Sequence, residues 1–494
     1  MKEFMKTHQV YLTPLTPIHI GCGEDFEPTN YVIDDGVLYH FEPSKLDLTD
    51  DDKKDLFQKI DSLKEIRIFF KDKIDLIKEN YIYRTDASSI YKEWKEKISD
   101  DNNKLVIQRG SHLVLLNKPY IPGSSFKGAL LTAFLDYCNG NENAHLKSKK
   151  EEKELREKYT TKRIDNDNTV NLFSGIKFGD FIPGNDKEII SKIYYELLLK
   201  KKPSKKLKNS IEKSSGHSSR LECMEGKKYR AYKSEVSVIP HFSNKDIFHY
   251  LKLAKKYYLD IFKEEMEDMD NKGWVNKSEY LEILKLLEND NIYLIRLGKT
   301  GANSKVYRGK DVAKIKNAKS KKGEKDIFNR ATTYHMVAEK EDAQNNLFSL
   351  GWAILEVDPK EDNDDLIKVV DPSLIIRRTI ADQEQQEQAK QQKLASLSGN
   401  FKIIAEKIEQ WEKIEKLPQN SSPIVPEYRS LLELAFNQNW SNEEKQELLD
   451  IYENKESILW TNVDNFSLSG KSGKTPAAKK FKQALNILTD SLCN

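Results

Sequence analysis

The segment from Tyr120 to Tyr137 most constrains how this chain folds, because it joins a tight turn to a helix with one apolar face. Pro122-Gly123 is a turn signal, and the serine that follows stands where a helix is often capped. Apolar side chains then recur at helical spacing on one side of the segment, namely Phe126, Leu130, Ala133, Phe134 and Tyr137. A helix of this kind can bury its apolar face on a sheet.

The first turn of this helix carries Ser124, Ser125 and Lys127. Free N–H groups at the start of a helix point outward, and the helix dipole favours an anion there. Two hydroxyls and an ammonium at the same place would suit a phosphate. The alternative interpretation is an ordinary capped helix.

Two glycine-rich turns follow strand-like runs. Residues 10–20 read as a strand that Pro14 and Pro17 restrict to a sheet edge or to two short pieces, and it runs into Gly21-Cys22-Gly23. Residues 293–297 form an apolar strand that opens into the lysine-containing loop 298–305. Such loops let the backbone approach a ligand closely, but neither fits the dinucleotide or P-loop pattern.

The remaining strand signals are short and separated by charged segments. Asp-Gly at 35–36 between apolar runs predicts a hairpin over residues 30–41, and further strands are expected near 113–116, 172–181, 230–240 and 350–357. Long polar insertions are expected near 44–100, 140–170, 198–230 and 244–290, and the region 361–494 reads as mainly helical. This irregular alternation predicts an α+β fold with antiparallel hairpins.

Charge is abundant but nearly balanced, with 81 basic and 79 acidic residues. Its distribution matters more than its sum, since six lysines fall between residues 200 and 208 and seven between 310 and 325. Each lysine run alone is typical of a solvated loop. Together with the glycine turns and the Ser/Ser/Lys helix start they favour RNA binding, in which lysine and arginine neutralise phosphates.

The cysteines exclude several classes of site. The four of them are far apart without any CxxC pair, so neither a zinc cluster, another metal site nor a disulfide framework is expected. No apolar run approaches the ~20 residues of a membrane span, and the first residues show no signal-peptide pattern. A cytoplasmic protein without a cofactor is the expectation.

Catalysis is not indicated by any motif. A metal-dependent nuclease would need clustered carboxylates, and Glu24, Asp25, Asp34 and Asp35 lie near the first glycine turn, but carboxylates at hairpins are usually turn residues. His19 precedes the same turn and could stack on a base, donate to a phosphate or serve the structure.

Five blocks carry a resemblance to a known family: residues 12–24 (LTPIHIGCGE within them), 120–131 (YIPGSSFKGALL), 172–180 (LFSGIKFGD), 294–307 (LIRLGKTGANSKVY) and 350–355 (LGWAIL). In order and spacing they resemble the RAMP superfamily of CRISPR-associated RNA-binding proteins, and within it the family of fifth subunits of type III-A Csm effector complexes. The resemblance extends from near the N-terminus to about residue 360.

This resemblance implies a ferredoxin-like (RRM-like) core with an antiparallel sheet and large helical insertions over residues 1–360. It implies a non-catalytic subunit that binds the 3′ part of the CRISPR RNA (crRNA), caps the filament of backbone subunits and assists crRNA maturation in antiviral defence. Implied partners are crRNA, other Csm subunits, target RNA and host nucleases, with no membrane. The alternatives are a ribonuclease that itself trims crRNA and a purely structural protein scaffold.

The resemblance also implies RNA-contacting residues, carried over block by block. They are His19, Gly21, Gly23, Ser124, Ser125, Lys127, Arg296, Gly298, Lys299, Gly301 and Lys305. The relatives that cut target RNA use an aspartate after the first strand, where this chain offers Asp25 or Asp34 in a different pattern. No catalytic residue and no metal ligand is therefore assigned.

Overall fold

The computed structural model describes residues 5–102, 105–113, 118–140, 149–163, 168–184, 190–202, 211–213, 218–239, 245–299, 307–308, 315–316, 327–328, 331–397, 399–466 and 476–493. The chain divides into two compact units, residues 1–375 and 376–494. Within the described ranges, no helix is both long enough and apolar enough to cross a membrane.

The helices have the following bounds: α1 Asp50–Gln58, α2 Leu63–Asp72, α3 Ile74–Asn80, α4 Tyr91–Lys97, α5 Gly123–Asn139, α6 Lys149–Thr160, α7 Ile247–Asn271, α8 Lys277–Leu286, α9 Asp364–Val370, α10 Ser373–Ser396, α11 Gly399–Glu412, α12 Ile424–Asn437, α13 Asn442–Glu453, α14 Ile458–Thr461 and α15 Pro476–Cys493. Short 3-10 turns cover Pro43–Lys45 and Leu172–Gly175.

The strands have the following bounds: β1 Lys6–Pro14, β2 Gly21–Phe26, β3 Tyr31–Asp34, β4 Val37–His40, β5 Tyr83–Asp86, β6 Ile107–Gly110, β7 His112–Leu113, β8 Lys118–Pro119, β9 Thr161–Arg163, β10 Thr169–Asn171, β11 Ile176–Phe178, β12 Ile182–Pro183, β13 Ser191–Lys200, β14 Arg220–Met224, β15 Tyr232–Val238, β16 Ile292–Arg296, β17 Ile315–Lys316, β18 Ile327–Phe328, β19 Thr333–Ala338, β20 Phe348–Ser349, β21 Trp352–Val357, β22 Leu417–Pro418 and β23 Val463–Asp464.

The first sheet has the strand order β11-β15-β1-β21-β16, and every neighbouring pair in it is antiparallel. β1 lies at its centre, which overturns the edge alternative of the prediction. The other alternative, a run divided into short pieces, agrees with the structure, since the strand ends at Pro14 and Ile18 forms only an isolated bridge. Pro14 is the last residue of β1, so the missing N–H costs no interior ladder bond, and Pro17 lies beyond the strand.

The second sheet has the order β2-β6-β14-β13-β5-β4-β3, with β19 also paired to β13. The predicted hairpin is confirmed as β3 and β4, whose turn residues Asp35 and Gly36 have φ of 45° and 76°. β14 corrects the prediction of a flexible excursion over 198–230, because its residues 221–224 are buried in this sheet. The first sheet is antiparallel throughout, whereas the second is mixed, since β13 pairs with β5 and β14 with β6 in parallel. Together with the helices these sheets confirm the α+β class.

Helix α5 packs through the predicted face. Phe126 makes edge contacts with Phe178 and Phe181 at centroid distances of 5.0 and 5.1 Å, and Phe134 lies 5.7 Å from Tyr250 of α7. Tyr137 departs from the prediction, because it is 57% exposed. It stands at the last turn of the helix, where its ring makes an edge contact with His249 of α7 at a centroid distance of 6.5 Å.

The second unit, residues 376–494, has an apolar core of its own built from helices. Trp411 and Tyr428 are fully buried in it, and the Nε1 of Trp411 donates to Glu427 at 2.8 Å. The carboxylate of Glu444 binds N–H groups at the starts of two helices. It accepts from Ser441 before α13 at 2.9 Å and from Asn400 in the first turn of α11 at 3.1 Å.

Candidate nucleic-acid interface

The two glycine-rich turns of the first unit meet through their backbones. The N–H of Lys299 donates to the carbonyl oxygen of His19 at 2.8 Å. Gly298 has φ of +76°, and a Cβ built on it would lie 2.2 Å from that same oxygen. Only glycine fits this close approach, so the contact fixes the loop after β16 against the turn after β1.

Lys299 points its side chain toward the second sheet. Its Nζ lies 3.0 Å from the carboxylate of Glu196 and 3.2 Å from Oε1 of Gln108, and 31% of the side chain stays exposed. Burial opposes the charge on Glu196, but hydrogen bonds from His335 and Lys299 outweigh this effect and lower the pKa of the carboxyl. Part of the lysine charge is therefore balanced within the protein.

His19 is buried, with 2% of its surface exposed. Its Nδ1 donates to the carbonyl oxygen of Glu222 at 2.7 Å, which fixes the tautomer. Burial lowers the pKa of His19 and the charge of Lys299 lowers it further, against the opposing effect of the hydrogen bond to Glu222, so the net shift favours the neutral ring. In this arrangement the ring supports the turn, and all three turn residues that follow it, Gly21, Cys22 and Gly23, are exposed.

The start of α5 differs from the predicted cap. Pro122 is the N-cap residue and makes no side-chain cap bond, while Ser124 is exposed and Ser125 half-buried in the first turn. The N–H of Gly123 donates to Oδ1 of Asp180 at 2.8 Å, so a carboxylate already binds one group of the helix terminus. A Cβ on Gly123 would lie 2.6 Å from the carbonyl oxygens of residues 178 and 179.

Lys127 is half-buried on the second turn of α5, and its Nζ donates to the carbonyl oxygen of Ile176 at 3.2 Å. Burial lowers the pKa of Lys127, and the neighbouring charge of Lys177 lowers it further. Lys177 is exposed on β11. The pair forms a small basic site beside the helix start, and sequence reasoning had not assigned Lys177 although it lies in the quoted block 172–180.

A short hairpin connects this helix start to the first glycine turn. The N–H of Ser111 donates to the carbonyl oxygen of Ile20 at 2.7 Å, and the carbonyl oxygen of Ser111 accepts from Tyr120 at 3.1 Å. Tyr120 stands three residues before α5. The structure thus brings the blocks 19–23, 120–127 and 298–299 into one connected region.

Arg296 lies in the interior. Its guanidinium pairs with Glu265 of α7 at 2.8 Å, donates to Ser349 at 2.9 Å and stacks 4.6 Å above the ring of Trp352. The side chain of Arg296 is 1% exposed and that of Glu265 is 4% exposed. This geometry gives Arg296 a structural contact, and the remaining expected residues, Gly301 and Lys305, lie outside the described residues.

Arg109 was missed by sequence reasoning, because nothing marks it in the run 106–110. It is 6% exposed, and its guanidinium lies 5.1 Å from the ring of Phe26 while Nη1 approaches Glu24 at 3.3 Å. Among the residues that the structure describes, its Nε and Nη2 have no hydrogen-bond partner. Arg109 therefore places a buried guanidinium in the second sheet whose N–H donors at Nε and Nη2 are unpaired within the described part of the chain.

The carboxylates considered for a nuclease do not gather into one cluster. Asp34 binds Lys78 at 2.6 Å, and Asp35 forms the hairpin turn. Asp25 is exposed on β2. Glu24 instead lies near Cys22 and His112, and the ligand atoms of these three residues lie within 4.8 Å of one another.

His40 beside Arg109 predicts a pH dependence of stability. Burial, with the charges of Arg109 and His112, lowers the pKa of His40 from 6.5 to about 4. The unfolded chain therefore takes up a proton near pH 6.5 that the folded chain refuses until about pH 4. Stability should fall as the pH drops through this window, and His40 contributes at most about 3 kcal/mol to the fall.

The pH dependence is tested by urea midpoints measured between pH 7 and 4.5 for the natural chain and for His40→Gln. An equal pH dependence of the two midpoints contradicts the prediction.

Comparison with known proteins gives one family and several relatives. The family model of the RAMP superfamily matches residues 11–300. A Methanocaldococcus jannaschii protein described as "CRISPR system Cms protein Csm5" is 28% identical over an alignment of 193 residues, and the match covers 35% of this chain and 42% of that protein. The sequence match thus covers less than half the length of this curated relative.

Two solved structures match part of this chain at low similarity. The crystal structure of T. onnurineus Csm5 is 14% identical with a TM-score of 0.41, and the match covers 60% of this chain and 91% of the other. A cryo-EM structure of a Csm-crRNA-target RNA ternary complex of a type III-A CRISPR-Cas system contains a chain that is 15% identical with a TM-score of 0.44, covering 71% and 100%.

Proposed function

The chain belongs to the RAMP superfamily, and from this premise we propose that it is an RNA-binding subunit of a type III-A CRISPR effector complex, equivalent to Csm5. The sequence relative named Csm5 supports the choice within the superfamily. The observation that carries RNA binding is the meeting of three separate blocks, 19–23, 120–127 and 298–299, through backbone hydrogen bonds in one region.

Within the complex, the subunit binds the 3′ part of crRNA, caps the filament of backbone subunits and assists crRNA maturation without cutting RNA itself. This is a cytoplasmic role with crRNA and other Csm subunits as partners, and with target RNA and host nucleases as further ones. Support comes from the family and from the site, where exposed glycines and half-buried lysines suit backbone contact and no carboxylate cluster forms among the described carboxylates near the turn.

The first sheet supports a ferredoxin-like (RRM-like) core. Four of its strands, read in chain order as β1, β11, β15 and β21, have the spatial order of that fold, and the sheet is antiparallel throughout. Helix α5 follows β1 and helix α7 follows β15, as in a βαββαβ unit. β16 is then an additional edge strand beside β21.

The expected residues take different roles in this proposal. Gly21, Gly23, Ser124, Ser125 and Lys127 face the RNA, together with Lys177 and Lys299, and the proposal extends to Gly301 and Lys305 of the same loop. His19 and Gly298 act by holding the two turns together, and Arg296 acts through the fold, since its charge is paired with Glu265 inside the unit.

Lysine variants test the proposal. Lys127→Ala should weaken binding of guide RNA irrespective of its sequence and reduce the slope of log affinity against log salt by about 1, because one phosphate contact is lost. Lys299→Ala should have a smaller effect, since Glu196 already balances part of its charge. The measurement is fluorescence anisotropy of labelled guide RNA at several salt concentrations.

Lys92→Ala is the matched control, because this lysine of α4 is 88% exposed. It should leave both affinity and slope unchanged. If Lys127→Ala and Lys299→Ala combined behave as the natural chain does, RNA binding at this region is refuted.

Two alternatives are separated by further experiments. A ribonuclease would cleave RNA as a purified chain with Mg²⁺ or Mn²⁺ and lose cleavage on Asp25→Asn or His19→Gln, whereas we expect intact RNA. A protein scaffold would give no crosslinks to RNA in ultraviolet light. Crosslinked peptides spanning residues 120–127 or 296–305, attached to 3′ guide nucleotides, are the expected result in the assembled complex.

A further inference from the structure

One group of potential metal ligands lies beside the first glycine turn. Cys22 and Glu24 are exposed on β2, and His112 is half-buried at the start of β7. The Sγ, carboxylate oxygen and imidazole nitrogen concerned lie within 4.8 Å of one another, and Nε2 of His112 is 3.8 Å from Oε2 of Glu24.

The strand register explains why residues about 90 positions apart meet. β2 and β6 run antiparallel, with Gly21 opposite Gly110 and Asp25 opposite Gln108, so residues 22–24 lie opposite Arg109, beside the end of β6 from which the chain continues to His112. The register of β2 is irregular between Gly21 and Asp25, and Gly23 has φ of +84°. This bulge turns the segment that carries Cys22 and Glu24 toward His112.

Two contacts position the ligand atoms. Nδ1 of His112 lies 3.4 Å from the carbonyl oxygen of Gly110. Because a carbonyl oxygen can only accept, Nδ1 carries the proton, and the lone pair of Nε2 faces Glu24. The Sγ of Cys22 lies 3.5 Å from the carbonyl oxygen of Arg109. The first contact orients His112 in the way that backbone carbonyls orient metal-bound imidazoles. The second is a thiol contact, which is given up when Cys22 loses its proton to bind the ion.

We propose that Cys22, Glu24 and His112 bind a divalent cation of the zinc class. One thiolate, one imidazole and one carboxylate are the ligand types that Zn²⁺ takes, and three of them leave a fourth position for water. Tetrahedral bonds of about 2.0–2.3 Å require ligand atoms about 3.3–3.8 Å apart. The observed spread of up to 4.8 Å would close by small rotations of the exposed Cys22 and Glu24 side chains toward the half-buried His112.

Charge balance also fits this cation. Binding releases the thiol proton of Cys22 to solvent, and the thiolate and carboxylate then offset the two positive charges of the ion. Nη1 of Arg109 lies 3.3 Å from the Glu24 carboxylate. With the ion bound, this carboxylate would lie between the guanidinium and the metal. The ion would join β2 to the turn after β6, and so would stiffen the glycine turn between them.

The test is zinc and cobalt binding by the full chain. The metal-free protein should take up one equivalent of Zn²⁺, and Co²⁺ should give a thiolate-to-metal absorption band. Cys22→Ser and His112→Gln should each weaken binding at least about 10-fold. Cys138→Ser and His249→Gln, which alter the same residue types elsewhere in the chain, should bind as the natural protein does.

X-ray absorption of the zinc-loaded natural chain needs no variant and should show one sulfur in a shell of otherwise nitrogen and oxygen ligands. A chain that takes up no stoichiometric zinc or cobalt overturns the proposal. So does a Cys22→Ser protein that binds cobalt as tightly as the natural one, or a zinc shell without sulfur. Circular dichroism identifies any variant that fails to fold, and Glu24→Gln then replaces it.

Discussion

Glu265→Ala is expected to lower the free energy of opening of the region around α7 and β16 by about 3–5 kcal/mol, because it leaves a buried charge without its partner. Arg296 and Glu265 are paired at 2.8 Å with 1% and 4% of their side chains exposed. Glu265 also accepts from the Nε1 of Trp352 at 3.3 Å, so its loss leaves a second donor unpaired.

Hydrogen exchange of peptides from α7 and β16 measures this change locally, which suits a chain of two units. Glu267→Ala, on an exposed position of the same helix, is the matched control and should change the opening free energy by less than about 0.5 kcal/mol. The pair Arg296→Met with Glu265→Gln should recover much of the loss, since no charge remains buried and the glutamine oxygen still accepts from Trp352. Equal exchange in Glu265→Ala and Glu267→Ala would falsify the assignment.

Gly298→Ala is expected to cost more than the ~1–3 kcal/mol of left-handed backbone strain alone. The added Cβ would stand 2.2 Å from the carbonyl oxygen of His19, at a residue with φ of +76°. The loop after β16 must then move away from the turn after β1, which breaks the 2.8 Å bond between Lys299 and His19. RNA affinity should fall together with stability, because both proposed contact segments separate.

The control is Gly128→Ala in α5, where nothing lies within 4 Å of the added Cβ. At that helical position alanine should stabilise the chain by about 0.5–1 kcal/mol, opposite in sign to the effect at Gly298. Urea midpoints and guide RNA affinity are compared for both variants. A Gly298→Ala protein with the midpoint and affinity of the natural chain contradicts the close approach.

Short sequence patterns predicted those helices, strands and turns whose signal lies in neighbouring residues. The Asp35-Gly36 turn, the apolar face of α5 through Phe134 and the strands β16 and β21 all follow from spacing and turn chemistry. The central place of β1 could not be predicted in this way, because Pro14 signals an edge unless its position at the strand end is known.

The candidate site likewise combines features that the sequence predicts with features that depend on distant residues. The sequence singled out the blocks proposed to contact RNA, but it could not reveal that His19 is buried beside Glu222 or that Arg296 pairs with Glu265. These partners lie far from them along the chain, and burial depends on the assembled sheets. The grouping of Cys22 with His112 depends on the register of β2 and β6, for which the separate cysteines gave no signal.

The central position of β1 has a consequence for how the chain is made. β1 pairs on one side with β15, from Lys6 opposite Val238, and on the other with β21, from Val10 opposite Val357. At ~5–20 residues per second, a ribosome needs on the order of 20–70 seconds to add the residues that separate the first strand from its later neighbour. Both edges of β1 are open until β15 has been made, and one edge stays open until β21 has been made. An open edge can pair with another chain, so β1 is exposed to such pairing until residue 357 has left the exit tunnel.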